Sequence, residues 1–298
     1  MTFSPSVLLV GGCGYIGSYI YSQLVKEGIA LTVCDRLSRG NPLKIPVLAC
    51  DYSSLTPEDL ASYDAVVWFA GHSSVQQSVE DPQGALANNC LNLLKFARLL
   101  KPSTRLIYAS SGSLYSSPVG THLSPSRETD LVHIPYQNAY DISKFAFDYL
   151  AENFLSNFYA LRMGTLSGFS PNLRKELLFN SMSIAAATTG KVNLKNRDAY
   201  RTVLYLEDLW LFVKRLLTTD VEPGVYNVGS VSATIGQFAE MIATAWGAEV
   251  VDQGSSETYS FLLDTSRMNL LLPHNLPSQS VADRSLEFVR HYRQHENF

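Results

Sequence analysis

The chain has 298 residues, of which 46% are hydrophobic and 17% charged, with a formal net charge of −4. That length admits one large domain or two small ones with a sizeable core, and the acidic balance gives no general attraction to nucleic acid or to an anionic membrane surface. No apolar run approaches membrane-spanning length, and a strand-like run begins at residue 7, leaving no room for a signal peptide, so no membrane partner and a cytoplasmic setting are expected.

The apolar run VLLV at 7–10 has the length and β-branched character of a buried strand. It leads into GGCGYIGS at 11–18, and residues 15–27 then place Ile16, Ile20, Leu24 and Val25 near helical spacing, with Gly28 as a stop. Strand, glycine turn and helix together predict a dinucleotide site. Gly11 permits the sharp turn, Gly14 lets backbone approach a pyrophosphate, and Gly17 lets helix and strand pack closely. The helix N-terminus offers unpaired N–H groups and partial positive charge to the phosphates. A second strand at 30–34 ends at Asp35, about 20 residues past the glycines, where a carboxylate accepts from a ribose 2′-hydroxyl. NAD is therefore expected; Arg36 and Arg39, which could accommodate a 2′-phosphate, are the argument for NADP. Against all this stands an unliganded glycine turn, which the register of strand, helix and acid disfavours.

Residues 36–46 are turn-rich and are expected to loop beside the adenosine end of the cofactor. A short strand at 46–49 leads to Asp51, placed to contact adenine. Thr56-Pro57-Glu58-Asp59 reads as a helix start, with Thr56 as cap, Pro57 at the first helical position and acids in the first turn. Residues 64–71 form another buried strand running into glycine. Strands alternating with helices predict a parallel sheet covered on both faces.

A helix is expected over 78–100, with Leu91, Leu94, Ala97 and Leu100 on one side. The strand at 106–109 delivers Ser110 and Ser111 at its carboxyl end, where ligand sites of open α/β sheets lie. Residues 112–139, with Pro118, Pro125 and Pro135, read as loop. An aromatic helix follows from Tyr140 to about Phe158, and Tyr140 and Lys144 share one of its faces. An ammonium beside a phenol favours phenolate and lowers its pKa toward neutrality, so Tyr140 could exchange a proton while Ser111 holds a substrate oxygen. The plain alternative is an exposed Tyr and Lys on a helix, disfavoured by the dinucleotide turn and the serine at the strand end.

GGCGYIGS, Asp35, Phe69-Ala70-Gly71, Ser110 to Tyr115 and YDISK together resemble the extended short-chain dehydrogenase/reductases, and within these the nucleotide-sugar epimerase, reductase and dehydratase group. The resemblance runs nearly the whole length and is weaker in the C-terminal part. It implies an α/β fold: a doubly wound parallel Rossmann sheet with a smaller C-terminal α/β substrate-binding region. By position, Ser111, four before Tyr115, matches the catalytic serine, and Tyr140 and Lys144 match the catalytic tyrosine and lysine. Asn89 matches an asparagine that orders the site. Cofactor contacts are implied at Gly11, Gly14, Tyr15, Ile16, Gly17, Asp35, Arg36, Asp51, Tyr52, Phe69, Ala70, Gly71 and Leu166, with Tyr140 and Lys144 reaching the same ligand.

Beyond the catalytic helix, residues 160–166 resemble the strand that follows it, with Thr165 where many relatives carry a substrate-binding asparagine. Ser111, Ser113, Thr165, Asn172, Arg174, Asn180 and Arg201 are implied substrate contacts. Arg201 matches the arginine that grips the sugar-nucleotide diphosphate, and a guanidinium fork suits that anion; a solvated surface charge is the alternative for Arg174 and Arg201. Helices at 209–217 and 235–246 and a strand at 225–229 follow. Residues 263–267 resemble a late Asp-x-Ser-Lys segment, but an arginine usual a few residues earlier is absent from 259–262. The implied partition is a dinucleotide domain over 1–165, with 203–229 returning to it, and a nucleotide-sugar domain from 166–202 and 230–298.

Three readings compete: an NAD-dependent nucleotide-sugar epimerase that oxidises and re-reduces one carbon, a one-way keto-sugar nucleotide reductase or dehydrogenase, and a non-enzymatic dinucleotide sensor. The intact Ser-Tyr-Lys set opposes the sensor. A 4,6-dehydratase would carry acids where Gly112 and Ser113 stand, and a fucose-synthase-like enzyme a Cys–His pair, while no cysteine follows Cys90. Cys13, Cys34, Cys50 and Cys90 show no metal-ligand spacing, so free thiols and no metal are expected. Phe145, Phe147, Tyr149, Phe154 and Phe158 give the aromatic helix more apolar surface than one core-facing stripe needs, which suggests a homodimer through it or burial on two sides within one chain.

Overall fold

A computed structural model describes residues 5–73, 75–121, 123–130, 138–273 and 279–296. In chain order the first half comprises β1 (Val7–Val10), α1 (Tyr15–Lys26), β2 (Leu31–Cys34), α2 (Pro57–Leu60), β3 (Ala65–Trp68), α3 (Val75–Glu80), α4 (Pro82–Leu86), α5 (Asn92–Ala97), β4 (Arg105–Ser111), β5 (Ser117–Pro118), α6 (Ala139–Phe154) and β6 (Phe158–Met163). The second half comprises β7 (Thr165–Ser167), α7 (Leu178–Thr189), β8 (Lys191–Leu194), β9 (Tyr200–Tyr205), α8 (Leu206–Thr218), β10 (Gly224–Val228), β11 (Val231–Thr234), α9 (Ile235–Trp246), β12 (Glu249–Asp252), β13 (Tyr259–Ser260), α10 (Ser266–Asn269) and α11 (Val281–Glu296).

Six strands form the main sheet in the order β10-β6-β4-β3-β1-β2, and every pairing in it is parallel. Alternate residues of each strand serve opposite faces. Leu9, Val67, Ile107 and Leu161 pack with Leu24 of α1 and Phe212 of α8 on one side. Leu8, Val66, Leu106 and Ala160 pack with Phe96 of α5 and Phe147 of α6 on the other. Both faces being covered, the strands need apolar residues at every position, which is why they read as unbroken apolar runs. From β1 the chain steps outward to β2, then crosses back to β3 on β1's other side. That reversal opens a crevice at the carboxyl ends of β1 and β3.

The remaining strands form smaller sheets: β11-β9-β7, β12-β8 and β13-β5. A separate core of Phe179, Phe238 and Ile242 gathers α7 and α9, with α11 packed against both. Of residues 203–229, α8 and β10 return to the main sheet, whereas β9 belongs to the small one.

Several sequence expectations change. The strand at 46–49 is a single bridge, Leu48 to Cys34, since Pro46 has no N–H to extend the ladder. The helix at 78–100 is broken once: residues 78–80 end α3, Asp81 caps α4 by accepting from Gly84 N at 2.9 Å, Pro82 opens it, and a π turn at Ala87–Leu91 joins it to α5. The aromatic helix ends at Phe154, because Phe158 already begins β6. The strand at 160–166 breaks at Gly164, whose added Cβ would lie 2.6 Å from Thr202 O, so Thr165–Ser167 joins the other sheet. Part of the expected loop at 112–139, including Pro135, lies outside the described residues; the rest holds a 3-10 turn at Gly112–Tyr115 and β5. Phe147 and Phe158 are buried while Ile142, Tyr149 and Phe154 are exposed, so α6 is not buried on two sides within this chain. All four cysteines are free, with Cys50 half-buried and the others buried.

Candidate active site

The crevice is a cleft of about 1080 Å³, counted to its open mouth, lined by Gly11, Gly14, Tyr15, Ile16, Asp35, Arg36, Tyr52, Phe69, Ala70, Gly71, Tyr140, Lys144, Leu166 and Arg174 among others. At its floor Gly11 has φ +79°, and a Cβ there would lie 2.7 Å from Ala70 N. At Gly17 a Cβ would lie 2.1 Å from Gly11 O, so only glycine lets α1 approach the turn. Gly14 caps α1 with no side-chain hydrogen bond, leaving the first N–H groups of the helix open toward the cleft. Asp35 closes the turn from the β2 side: its carboxylate accepts from Cys13 N at 2.9 Å and Leu37 N at 2.8 Å. Uncapped helix start, glycine cradle and fixed carboxylate fit a dinucleotide.

Two adenosine-side expectations fare differently. Tyr52 lines the cleft and donates its hydroxyl to Asn88 O at 2.5 Å. Asp51 instead accepts from Ser53 N at 2.9 Å and Ser53 Oγ at 2.7 Å, with Arg36 at 3.5 Å, capping its own 3-10 turn outside the lining.

At the carboxyl end of β4, the Ser111 hydroxyl faces the Tyr140 phenol as a donor that favours its ionised form. Lys144, one turn along α6, is buried and donates to Ala109 O at 2.8 Å; its ammonium lies 5.0 Å from the Trp68 ring centroid and 5.8 Å from that of Tyr140. Asn138 caps α6, accepting from Tyr140 N at 3.1 Å. Asn89, on the π turn, accepts from His72 N at 3.0 Å and donates to Ser143 Oγ at 3.0 Å, tying the end of β3 to α6. Asn89 also donates to His72 O at 3.2 Å, so one side chain holds both backbone groups of His72 and the Ser143 hydroxyl.

The expectation that Lys144 draws the phenol toward neutrality is corrected. Burial pushes Tyr140 well above the ordinary phenol value, and the Ser111 hydrogen bond offsets only part of that. Burial also lowers Lys144 to about 8, against the pull of Asp148. Desolvation of both charged forms outweighs their proximity.

The substrate residues are less gathered. Thr165, Asn172, Asn180 and Arg201 do not line the cleft. Asn172 donates to Cys13 O at 2.7 Å. The buried Asn180 accepts from Gly168 N at 3.1 Å and donates to Arg174 O at 3.0 Å and Tyr15 OH at 3.3 Å. Both asparagines therefore brace the 168–174 loop against the glycine turn. Arg174 lines the cleft, its Nε 2.6 Å from Glu176 Oε1. Arg201 is buried, donating to the carbonyls of Tyr200 and Tyr259 and to Thr258 Oγ1, with its guanidinium 4.5 Å from the Tyr259 ring centroid.

Sequence reasoning passed over Asp141. It is buried beside Tyr140, accepts from Ser113 Oγ and Asn138 Nδ2, and its carboxyl is lifted by burial to about 6. Ser113 Oγ in turn lies 2.7 Å from Ser111 Oγ. The acid in YDISK was visible, but its partner is 28 residues away. Among the described residues no group of three His, Cys, Asp or Glu side chains is placed to hold a metal ion, and no helix is long and apolar enough to cross a membrane.

Residues 7–229 match the model of the NAD dependent epimerase/dehydratase family. A UDP-glucose 4-epimerase of Azospirillum brasilense is 34% identical over 151 residues, 47% of this chain and 42% of that protein. The UDP-glucose 4-epimerase GEPI42 of Cyamopsis tetragonoloba is 24% identical over 290 residues, 82% of this chain and 80% of its own. Across most of the curated relatives the match spans about half of their length or less. Among solved structures, the UDP-glucose 4-epimerase of Thermotoga maritima with UDP-glucose aligns with a TM-score of 0.82 at 19% identity, covering 98% of this chain and 99% of that one. TunA, described as an NAD dependent NDP-hexosamine 5,6-dehydratase, aligns at 0.81 with 21% identity, covering 97% and 98%. At these identities the structural matches establish the fold.

Proposed function

The chain belongs to the NAD dependent epimerase/dehydratase family, and from that premise we propose that it is an NAD-dependent epimerase of a nucleotide-diphosphate sugar. The observation that carries this reading is the meeting of Ser111, Tyr140 and Lys144 at the end of β4, with Tyr140 and Lys144 lining the same cleft as the glycine turn. Bound NAD supplies a hydride acceptor that can return the hydride to either face of the sugar carbon.

The chain's own groups do the rest. The open start of α1 holds the pyrophosphate and Asp35 the ribose hydroxyl. Tyr140 takes the proton of the sugar hydroxyl and later gives it back. Lys144 is fixed by Ala109 O with its ammonium 5.8 Å from the Tyr140 ring centroid, where it would also hold a ribose hydroxyl of bound NAD. Arg201, buried with no carboxylate partner among the described residues, is the cation for the diphosphate. A second copy of the chain would cover Ile142, Tyr149 and Phe154 on α6.

Cofactor accounting tests the reading. Purified protein incubated with UDP-, dTDP-, GDP- and CDP-hexoses should convert one of them to its epimer with no added nicotinamide and no net change in reduced-nicotinamide absorbance. Stoichiometric consumption of NADH would replace epimerase by reductase.

A further inference from the structure

Two of the free cysteines meet in the cleft, between Asp35 and Tyr52. Cys34 is the last residue of β2, and Cys50 comes two residues after Leu48, which bridges to Cys34. Their sulfurs lie 3.8 Å apart, and Cys50 O accepts from the Cys34 thiol at 3.7 Å. Both residues line the cleft. Each is followed by an acid that shapes the backbone: Asp35, bound to Cys13 N and Leu37 N, and Asp51, which caps the 3-10 turn carrying Tyr52.

This pair is placed to react, and the other two thiols are not. Disulfide sulfurs stand about 2.0 Å apart, so closing the bridge asks for an approach of less than about 2 Å. Cys34 is buried and held in the main sheet opposite Val10, whereas Cys50 is half-buried in a loop and can supply the movement. Cys13 instead directs its sulfur to Asn41 Oδ1 at 3.7 Å, and Cys90 packs in the core with Leu93 and Phe96.

We propose that Cys34 and Cys50 are a reversible thiol–disulfide site, oxidised by low-molecular-weight disulfides such as glutathione disulfide, and that the bridge and bound NAD oppose one another. The step balances. The Cys50 thiolate attacks one sulfur of glutathione disulfide; a Cys50–glutathione bond forms, the original S–S bond breaks and a glutathione thiolate leaves. The Cys34 sulfur, giving up its proton, then attacks the Cys50 sulfur and expels the second glutathione. Two protein thiols lose two electrons and two protons, and glutathione disulfide takes them up as two thiols. The order follows from the surroundings. Burial, helped by the Cys50 sulfur, pushes the Cys34 thiol well above its ordinary value, so Cys50 attacks first. Burial also raises Cys13, to about 11, and Cys90, which keeps both out of the exchange.

The opposition to NAD comes from what cannot move. Asp35 is held by two backbone N–H groups, and Tyr52 by its hydroxyl on Asn88 O at 2.5 Å and by edge contacts with Trp68 and Phe96. Drawing Cys50 toward Cys34 therefore narrows the space between two walls that stay in place. A ligand seated there loses room, and a ligand already in place covers Cys50. Linkage makes the effect mutual: the factor by which the bridge weakens NAD is the factor by which NAD disfavours the bridge.

Full-length protein equilibrated in glutathione redox buffers, quenched in acid and alkylated, tests this. Toward the oxidised end the wild type should lose two of its four thiols, peptide mapping should link residues 34 and 50, and dithiothreitol should restore both. Cys34→Ala should retain glutathione on Cys50, whereas Cys50→Ser should keep all its thiols. Calorimetric titration should find NAD bound roughly 5- to 150-fold more weakly by the oxidised than by the reduced wild type, the usual size of such coupling. Saturating NAD should raise by the same factor the ratio of glutathione disulfide to squared glutathione at half-oxidation. Cys50→Ser should bind NAD equally at either poise. Four thiols at every poise, a bridge that involves Cys13 or Cys90, or a 34–50 bridge that leaves NAD affinity unchanged would overturn the proposal.

Discussion

Two buried carboxylates on α6, Asp141 and Asp148, lie two turns apart and live in opposite company. Asp148 faces Arg162, with Nε at 2.9 Å, and also accepts from Ser110 Oγ at 2.8 Å and Tyr108 OH at 3.0 Å. Among the described residues Asp141 has a hydroxyl and an amide but no cation. The arginines divide the same way: Arg162 has its carboxylate, whereas Arg201 is held by carbonyls, a hydroxyl and aromatic faces. One cluster is a closed ion pair that ties α6 to β4 and β6. The other leaves Asp141 without a cation and Arg201 without a carboxylate among the described residues, with the Arg201 guanidinium over the Tyr259 ring. Burying an unpaired charge costs stability, so its retention beside a cleft points to chemistry rather than architecture.

Substitution of each acid should separate the two most sharply. Asp148→Asn strands Arg162 in the core and should cost about 3–5 kcal/mol, measured by denaturant unfolding. Asp141→Asn should behave oppositely. Its carboxyl is raised in the fold from 3.8 to about 6, so its favourable contribution is present below the lower value and is lost as pH rises through the upper one. Between acid and neutral pH the stability of Asp141→Asn relative to wild type should therefore improve, by up to about 3 kcal/mol at roughly 1.4 kcal/mol per unit. A loss at neutral pH equal to that of Asp148→Asn would make both acids structural.

Arg201→Ala probes the cationic half. Losing a charged hydrogen-bonding partner is worth on the order of 1.5–3 kcal/mol, so sugar-nucleotide affinity should fall by that amount while NAD affinity stays the same. Calorimetric titration of each ligand reads both. Unaltered sugar-nucleotide binding would leave Arg201 as a prop for Tyr259 alone.

This contrast explains what was and was not legible in the sequence. The glycine turn, Asp35 and the strands of the main sheet are local patterns: an apolar run, a spacing, a residue type. Tyr140 and Lys144 are likewise local, four apart on one helix face. Nothing local distinguishes Asp141 from Asp148, since each is an acid on an amphipathic helix. Their fates are set by Ser113, 28 residues earlier, and Arg162, 14 later. The partners of Asn172 and Asn180, Cys13 and Tyr15, are equally invisible locally, being 159 and 165 residues away. The phenol's titration was misjudged because spacing shows the neighbouring charge and not the burial that outweighs it.

Turnover of Tyr140→Phe bears most directly on the catalytic assignment. The variant loses one oxygen, so NAD and sugar-nucleotide binding should persist while kcat on the best nucleotide sugar falls roughly 10²- to 10⁴-fold. Near-native kcat with intact binding would contradict the assignment of Tyr140 as the acid/base group and leave a dinucleotide-binding protein without this catalysis.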